Sequence, residues 1–283
     1  MEKAGPSPFP SFLIGSLKGL VWESLFELLH TETCLICGCS LRRSLVRAWA
    51  DFADLAIGAQ IGVGPGHGDR FSDEPLSRFL CTQCLANFPF ERPLPVKSLA
   101  KGLPVIYLGE FVGSCRVLVH QLKFGKVREA GWVLGWLAAK ILSPYWGAMD
   151  PAQRPDLLVP LPLADERRKE RGYNQCAVIG KVLSRSLGIS MNERLLVRTK
   201  ETQPQSTLHT IQERAANLKG AFAVSPDCLN QGSLEGVKIL LLDDVCTTGA
   251  SFQAGARPLQ DLGAEVICLA MGRGHFVDRA HWS

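Results

Sequence analysis

The chain has 283 residues, of which 46% are apolar and 20% charged; it can bury one core of about 150–200 residues and carry a smaller module besides. That balance excludes a disordered chain. A net charge of +4 is too weak to define a nucleic-acid surface by itself, so any anion affinity must come from local clusters.

The first patterned segment runs from Phe12 to Leu29. Lys18, Glu23 and Glu27 interrupt it, and Leu17, Leu20, Val21, Leu25, Leu28 and Leu29 recur at helical spacing. This predicts an amphipathic helix packing on the body, with a membrane-surface helix as the alternative, and not a membrane span. No small-residue cleavage site follows an uncharged core, so a signal peptide is not expected and the location is expected to be cytoplasmic.

Ten cysteines follow, four of them in two Cys-x-x-Cys turns, Cys34/Cys37 and Cys81/Cys84. Each turn lets two thiolates converge on one ion, and two turns supply the tetrahedral sulfur set of a structural Zn²⁺ site. The 43 residues between the pairs exceed the usual ribbon spacing, and Cys39 offers a fifth thiol. Reduced structural cysteines or redox pairs are the alternative. Four thiolates leave no open position, so such a zinc would stabilise the module and not bind substrate.

Between the pairs, the Leu41–Leu80 stretch reads as an insertion. It holds a helix from Arg42 to about Ile57, then a glycine-rich loop in which His67 reads as a solvated side chain. The chain thus divides into an N-terminal helix (1–30), a zinc-ribbon-like module (31–100, with the insertion at about 41–80) and a larger domain (101–283).

From Pro104 onward strands and helices alternate. A strand or hairpin edge at Pro104–Gly113 precedes a helix over Arg128–Leu142, then a buried strand closed by prolines at Pro155–Leu163. A helix over Tyr173–Leu187 has Cys176, Ile179, Leu183 and Leu187 on one face and stops at Gly188. A strand over Val237–Asp244, a helix to about Leu262 and a strand over Ala264–Gly272 complete the pattern. This alternation predicts an α/β fold with a mostly parallel sheet, whose ligands bind beyond the carboxyl ends of the strands.

Asp243 and Asp244 fall at such a strand end. Thr247, Thr248, Gly249, Ala250 and Ser251 follow and open a helix, where free N–H groups, the dipole and hydroxyls make an anion site. Tandem carboxylates beside a phosphate cup suit a sugar diol or a metal-bound phosphosugar. A capping aspartate and a surface ion pair are the bland alternative. The basic run "ERRKERGYNQ" (Glu166–Gln175) reads as a solvated helix face, as cations for an anionic ligand, or, with Tyr173, as a contact for single-stranded DNA.

The stretch "ILLLDDVCTTGAS" (Ile239–Ser251) resembles the phosphoribosyl pyrophosphate (PRPP) motif of type I phosphoribosyltransferases. With "HQLKF" (His120–Phe124), "VPLPLADERRKERGYNQ" (Val159–Gln175), "RTKETQPQSTL" (Arg198–Leu208) and "ERAANLKGAF" (Glu213–Phe222), the resemblance narrows to the ComF family of competence-protein-F-like phosphoribosyltransferases. It covers nearly the whole chain outside Leu41–Leu80, and the paired knuckles match that family's N-terminal double zinc ribbon.

The resemblance implies a type I phosphoribosyltransferase fold. It assigns the ribose hydroxyls of PRPP to Asp243 and Asp244, and the 5-phosphate to Thr247–Ser251. Arg167, Lys169 and Arg171 stand where the leaving pyrophosphate would be received, with Mg²⁺ neutralising it. Asp244 is the expected proton acceptor or charge stabiliser, and transfer to an acceptor, or hydrolysis, is the expected reaction. Thr202, Gln205, Arg214 and Asn217 recur in the family pattern, with no chemistry derived for them. The alternative implied is a non-enzymatic accessory of DNA uptake that binds single-stranded DNA and a helicase. One departure is Pro258, expected to kink or shorten the helix that follows the phosphate turn.

Overall fold

Residues Lys238–Cys246 form the strand β7 at the centre of the protein, because four consecutive aliphatic side chains, Ile239–Leu242, can be buried on both faces only inside a sheet. The structure is a computed structural model that describes residues 33–41, 74–90, 94–99, 102–200, 202, 208, 210–229 and 233–275. The expected helices at Phe12–Leu29 and Arg42–Ile57, the glycine-rich loop with His67, and Gln205 lie outside the described residues.

The other strands are β1 (Val96–Ser98), β2 (Pro104–Tyr107), β3 (Leu157–Pro160), β4 (Ser190–Met191), β5 (Leu196–Arg198), β6 (Phe222–Val224) and β8 (Glu265–Arg273). Six of the eight form one sheet in the order β1-β2-β8-β7-β3-β4. All neighbours in it are parallel except the antiparallel edge pair β1–β2. Strands β5 and β6 pair separately as an antiparallel ribbon. The fold is therefore α/β with a mostly parallel sheet, as expected.

Alternate residues of β7 serve two cores. Leu240 and Leu242 join the helices Gly113–Lys123, Arg128–Ala148 and Gln175–Leu187 in one cluster. Ile239 and Leu241 join Phe252, Ala256 and Leu259 of the Ala250–Gln260 helix, with Leu196 and Phe222 of the ribbon, in the other. Each such leucine or isoleucine contributes about 1.5–3 kcal/mol by leaving water.

The Gln175–Leu187 helix buries Cys176, Ile179 and Leu183 as the periodicity requires, and Asn174 caps it through a bond from the Cys176 N–H. It crosses the Arg128–Ala148 helix where that helix has no side chains. A Cβ on Gly131 would lie 2.6 Å from a Val178 methyl carbon, and one on Gly135 would lie 2.7 Å from Val182 Cβ. Two glycines four residues apart thus form the groove for two valines four residues apart.

The Gly113–Lys123 and Ile211–Leu218 helices and the strands β4, β5 and β6 answer to no expected element, and the Arg128–Ala148 helix runs past Leu142. Two further details depart from the pattern read in the sequence. β7 does not end at the aspartates but keeps pairing with β8 as far as Cys246 opposite Arg273. The Ala250–Gln260 helix passes through Pro258 and ends two residues later, so the N–H that proline lacks belongs to the last turn. No described helix is long and apolar enough to cross a membrane.

Candidate functional site

The site begins with unequal strand lengths. β3 stops at Pro160, opposite Leu242, while β7 runs on. Asp243 and Asp244 therefore stand past the last residue of β3, on a side of β7 that has lost its neighbour. There they line a cavity of about 410 Å³, together with all of Thr247–Ser251.

The two carboxylates are held differently. Asp244 is 2% exposed, and its Oδ1 accepts from Lys123 Nζ at 2.7 Å, while its Oδ2 has no partner among the described residues. Burial works against the Lys123 charge, but the Asp244 charge and hydrogen bond outweigh it and hold the ammonium above its ordinary pKa. Asp243 is half-buried; its Oδ1 accepts from the Asp244 N–H at 2.8 Å and from Cys176 Sγ at 3.4 Å. Burial, and then the Asp244 charge, push Asp243 up to about 7, against the opposing pull of Lys123, the Asp244 N–H and Cys176. Burial likewise raises the Cys176 thiol well above its usual value, so it stays protonated and donates.

The turn has the form of an anion cup. Gly249 occupies the cap position of the Ala250–Gln260 helix at φ 78°, a conformation that favours glycine. Leu99 presses on it from outside, 2.5 Å from where a Cβ would be. The Ala250 N–H donates to Thr248 Oγ1 at 3.4 Å, and the turn faces the cavity with the positive end of the helix behind it.

Of the expected cations, the structure places Arg167 and Arg171 on the cavity wall, while Lys169 is exposed and does not line it. Arg171 is buried, donates to Gln175 Oε1 at 2.9 Å and packs over the Phe124 ring. Burial pulls its pKa below the ordinary arginine value. Lys123, Arg198 and Arg214 line the cavity too, and sequence reasoning gave them no role. Each sits in a motif quoted above, but what brings it to the acids is the packing of separate elements. Arg198 donates to Thr202 and lies over Phe222; Arg214 Nη1 donates to Thr247 Oγ1 at 3.1 Å. Five cationic side chains thus face two carboxylates in a chain whose net charge is only +4. The arrangement suits a ligand that is polyanionic at two places and carries a polar, hydroxyl-bearing centre.

A second cluster lies at the knuckles. The sulfurs of Cys34, Cys37, Cys39 and Cys81 all lie within 4.8 Å of one another, with Cys37 Sγ 3.7 Å from Cys81 Sγ; the expected fourth ligand, Cys84, stands outside that group of four, and Cys39 takes its place in it. Backbone N–H groups already point at the first sulfur of each turn, Ile36 N to Cys34 Sγ at 3.5 Å and Cys84 N to Cys81 Sγ at 3.4 Å. That geometry stabilises thiolates, and a donor set made only of sulfur fits Zn²⁺. The cluster can hold a zinc ion, with one thiol more than a tetrahedron takes.

No family model matches the chain. Individual proteins do. It is 28% identical over 165 residues to competence protein F of Haemophilus influenzae, covering 58% of this chain and 69% of that one. It is 30% identical over 195 residues to the DNA utilization protein YhgH of Salmonella typhimurium, covering 66% of this chain and 81% of that one. Among solved structures it is similar to adenine phosphoribosyltransferase from Leishmania tarentolae, at 13% identity and a TM-score of 0.36 over 64% of this chain and 94% of that one. The class that fold and site define is an α/β protein whose mostly parallel sheet carries tandem acids and a glycine-led turn on its central strand. Within that class, the chain belongs to the ComF family.

Proposed function

We propose that the protein binds PRPP with Mg²⁺ and transfers its phosphoribosyl group to an acceptor. The observation that carries this reading is the convergence of an acid pair, a glycine-led helix start and two arginines, Arg167 and Arg171, on one cavity. The turn Thr247–Ser251 takes the 5-phosphate, Asp243 and Asp244 take the ribose hydroxyls, and the arginines take the pyrophosphate. Bound together with the pyrophosphate, Mg²⁺ would supply charge neutralisation to the leaving group.

Departure of pyrophosphate leaves positive charge on the ribose ring, which the two carboxylates stabilise. Asp243 replaces Asp244 as the proton acceptor. Asp244 is nearly sealed and already engaged by Lys123, whereas Asp243 is open to the cavity and has its pKa raised to about 7, near that of a useful general base. A cytoplasmic location belongs to the same reading.

Calorimetry with PRPP and Mg²⁺, alongside assay of pyrophosphate release, tests it. Wild type should bind, and Asp243→Asn and Asp244→Asn should each weaken binding at least tenfold. A wild type that fails to bind sinks the proposal.

A second reading, a non-enzymatic accessory of DNA uptake, is favoured by a separate observation. Phe124, 61% exposed at the cavity wall beside Arg171, offers a stacking face next to a cation. The names of the relatives point the same way. Single-stranded DNA and a helicase would then be partners, with PRPP as a regulatory ligand. PRPP binding without pyrophosphate release, whatever the acceptor, would favour this role.

A further inference from the structure

We infer that Arg214 is a ligand of the sugar's 5-phosphate, brought onto the phosphate turn from an element outside the strand–turn–helix unit. This rests on the phosphoribosyl reading above and assigns a role to a side chain for which the acids and the turn alone leave no need.

The Ile211–Leu218 helix places Arg214 one residue beyond its first turn. Its start is pinned by a capping box, in which Thr210 Oγ1 accepts from the Glu213 N–H at 3.1 Å and the Thr210 N–H donates to Glu213 Oε2 at 3.0 Å. From there the side chain reaches the cavity. Nε and Nη2 both donate to the Leu208 carbonyl at 3.4 Å, which sets the guanidinium plane, and Nη1 donates to Thr247 Oγ1 at 3.1 Å. Thr247 is the first residue of the turn.

A guanidinium held in a fixed plane beside a threonine hydroxyl and the glycine-led start of a helix completes a phosphate site. The fork matches two phosphate oxygens, the hydroxyl donates to a phosphate oxygen, and the backbone donors take the rest. An arginine also gives this position what the turn lacks, a full positive charge against the phosphate dianion. The cavity then divides its cations by task. Arg214 serves the end of the ligand that stays with the ribose, and Arg167 and Arg171, on the helix following β3, serve the end that leaves.

The two ends can be tested apart, using ribose 5-phosphate and inorganic pyrophosphate as separate probes in calorimetry. Arg214→Gln should weaken ribose 5-phosphate about tenfold or more and leave pyrophosphate unchanged. Arg214→Lys should recover part of the loss because it keeps the charge, and Arg171→Gln should show the reverse pattern. Wild-type affinity of Arg214→Gln for ribose 5-phosphate overturns the inference. So does equal loss of both probes with a lowered melting temperature, which would make Arg214 a brace of the fold. Wild-type protein that binds neither probe overturns the phosphoribosyl reading itself, and the inference with it.

Discussion

Asp243 carries a charge the fold disfavours. Burial and its neighbour Asp244 raise it to about 7, while Lys123 and the Cys176 thiol oppose the shift. Burial, and to a smaller extent the Asp243 charge, raise the Cys246 thiol, and the Asp244 charge acts on Arg171. The sign follows from proton counting. Unfolded, an aspartate titrates near about 3.9; between there and about 7 the native state holds a proton that the unfolded chain has released. Stability should therefore fall as pH rises through that window. Binding should move the opposite way, because sugar hydroxyls donate to the ionised carboxylate. We expect PRPP affinity to rise through about pH 7. Asp243→Asn should flatten both profiles and raise stability at pH 8 by about 1–3 kcal/mol. Denaturation and calorimetry from pH 5 to 8 check this, and a wild-type profile identical to that of the variant would count against it. The acids and the turn could be read in the sequence because they are contiguous. Lys123 and Arg214 could not, being 121 and 33 residues from the partners they touch.

Among the elements, periodicity located the Arg128–Ala148, Gln175–Leu187 and Ala250–Gln260 helices and the buried strands β3, β7 and β8, since apolar spacing is set by local geometry. It gave no sign of the Gly113–Lys123 and Ile211–Leu218 helices that carry Lys123 and Arg214. It misplaced the end of β7, because a strand's length depends on which neighbour still pairs with it. β8 supports β7 as far as Cys246, long after β3 has ended. The closest helix contact was equally hidden. Gly131 and Gly135 read as neutral positions within an apolar run, yet they are where the Arg128–Ala148 helix admits Val178 and Val182. A methyl group at Gly135 would meet Val182 Cβ at 2.7 Å and the Ile179 carbonyl oxygen at 2.8 Å. The latter is backbone and cannot rotate away. Although alanine favours helix by about 1 kcal/mol over glycine, Gly135→Ala should destabilise the protein by about 1–3 kcal/mol through overpacking. Urea denaturation decides, with Gly147→Ala, where nothing lies within 4 Å of the added carbon, as the control that should be neutral or stabilising. Equal behaviour of the two variants would show that the helices can separate freely.

For the molecule as a whole, the sequence suggested a knuckle module set beside a larger domain, and its composition could not say how firmly the two adhere. The packing answers. Cys34, Leu41, Leu80, Cys81 and Leu85 belong to the same buried cluster as Leu118, Leu122 and Leu134 of the large domain. Phe79 meets Trp132 edge to face, and Gln121 donates to the Leu35 carbonyl. The Gly113–Lys123 helix that receives the knuckles on this side also ends in Lys123, the partner of Asp244. A zinc ion in the thiol cluster would therefore support the wall of the ligand cavity as well as its own turns. Chelation should then lower the temperature of one cooperative transition, where an independent module would melt separately and leave the main transition in place. Scanning calorimetry with and without a zinc chelator distinguishes these, and two separate transitions would refute the coupling. Metal content should fall in Cys34→Ser and Cys81→Ser, and comparing Cys39→Ser with Cys84→Ser identifies the fourth ligand, since Cys39 belongs to the close group of four sulfurs and Cys84 to the second Cys-x-x-Cys turn. The same chelation should weaken PRPP binding through Lys123, although none of the knuckle cysteines lines the cavity.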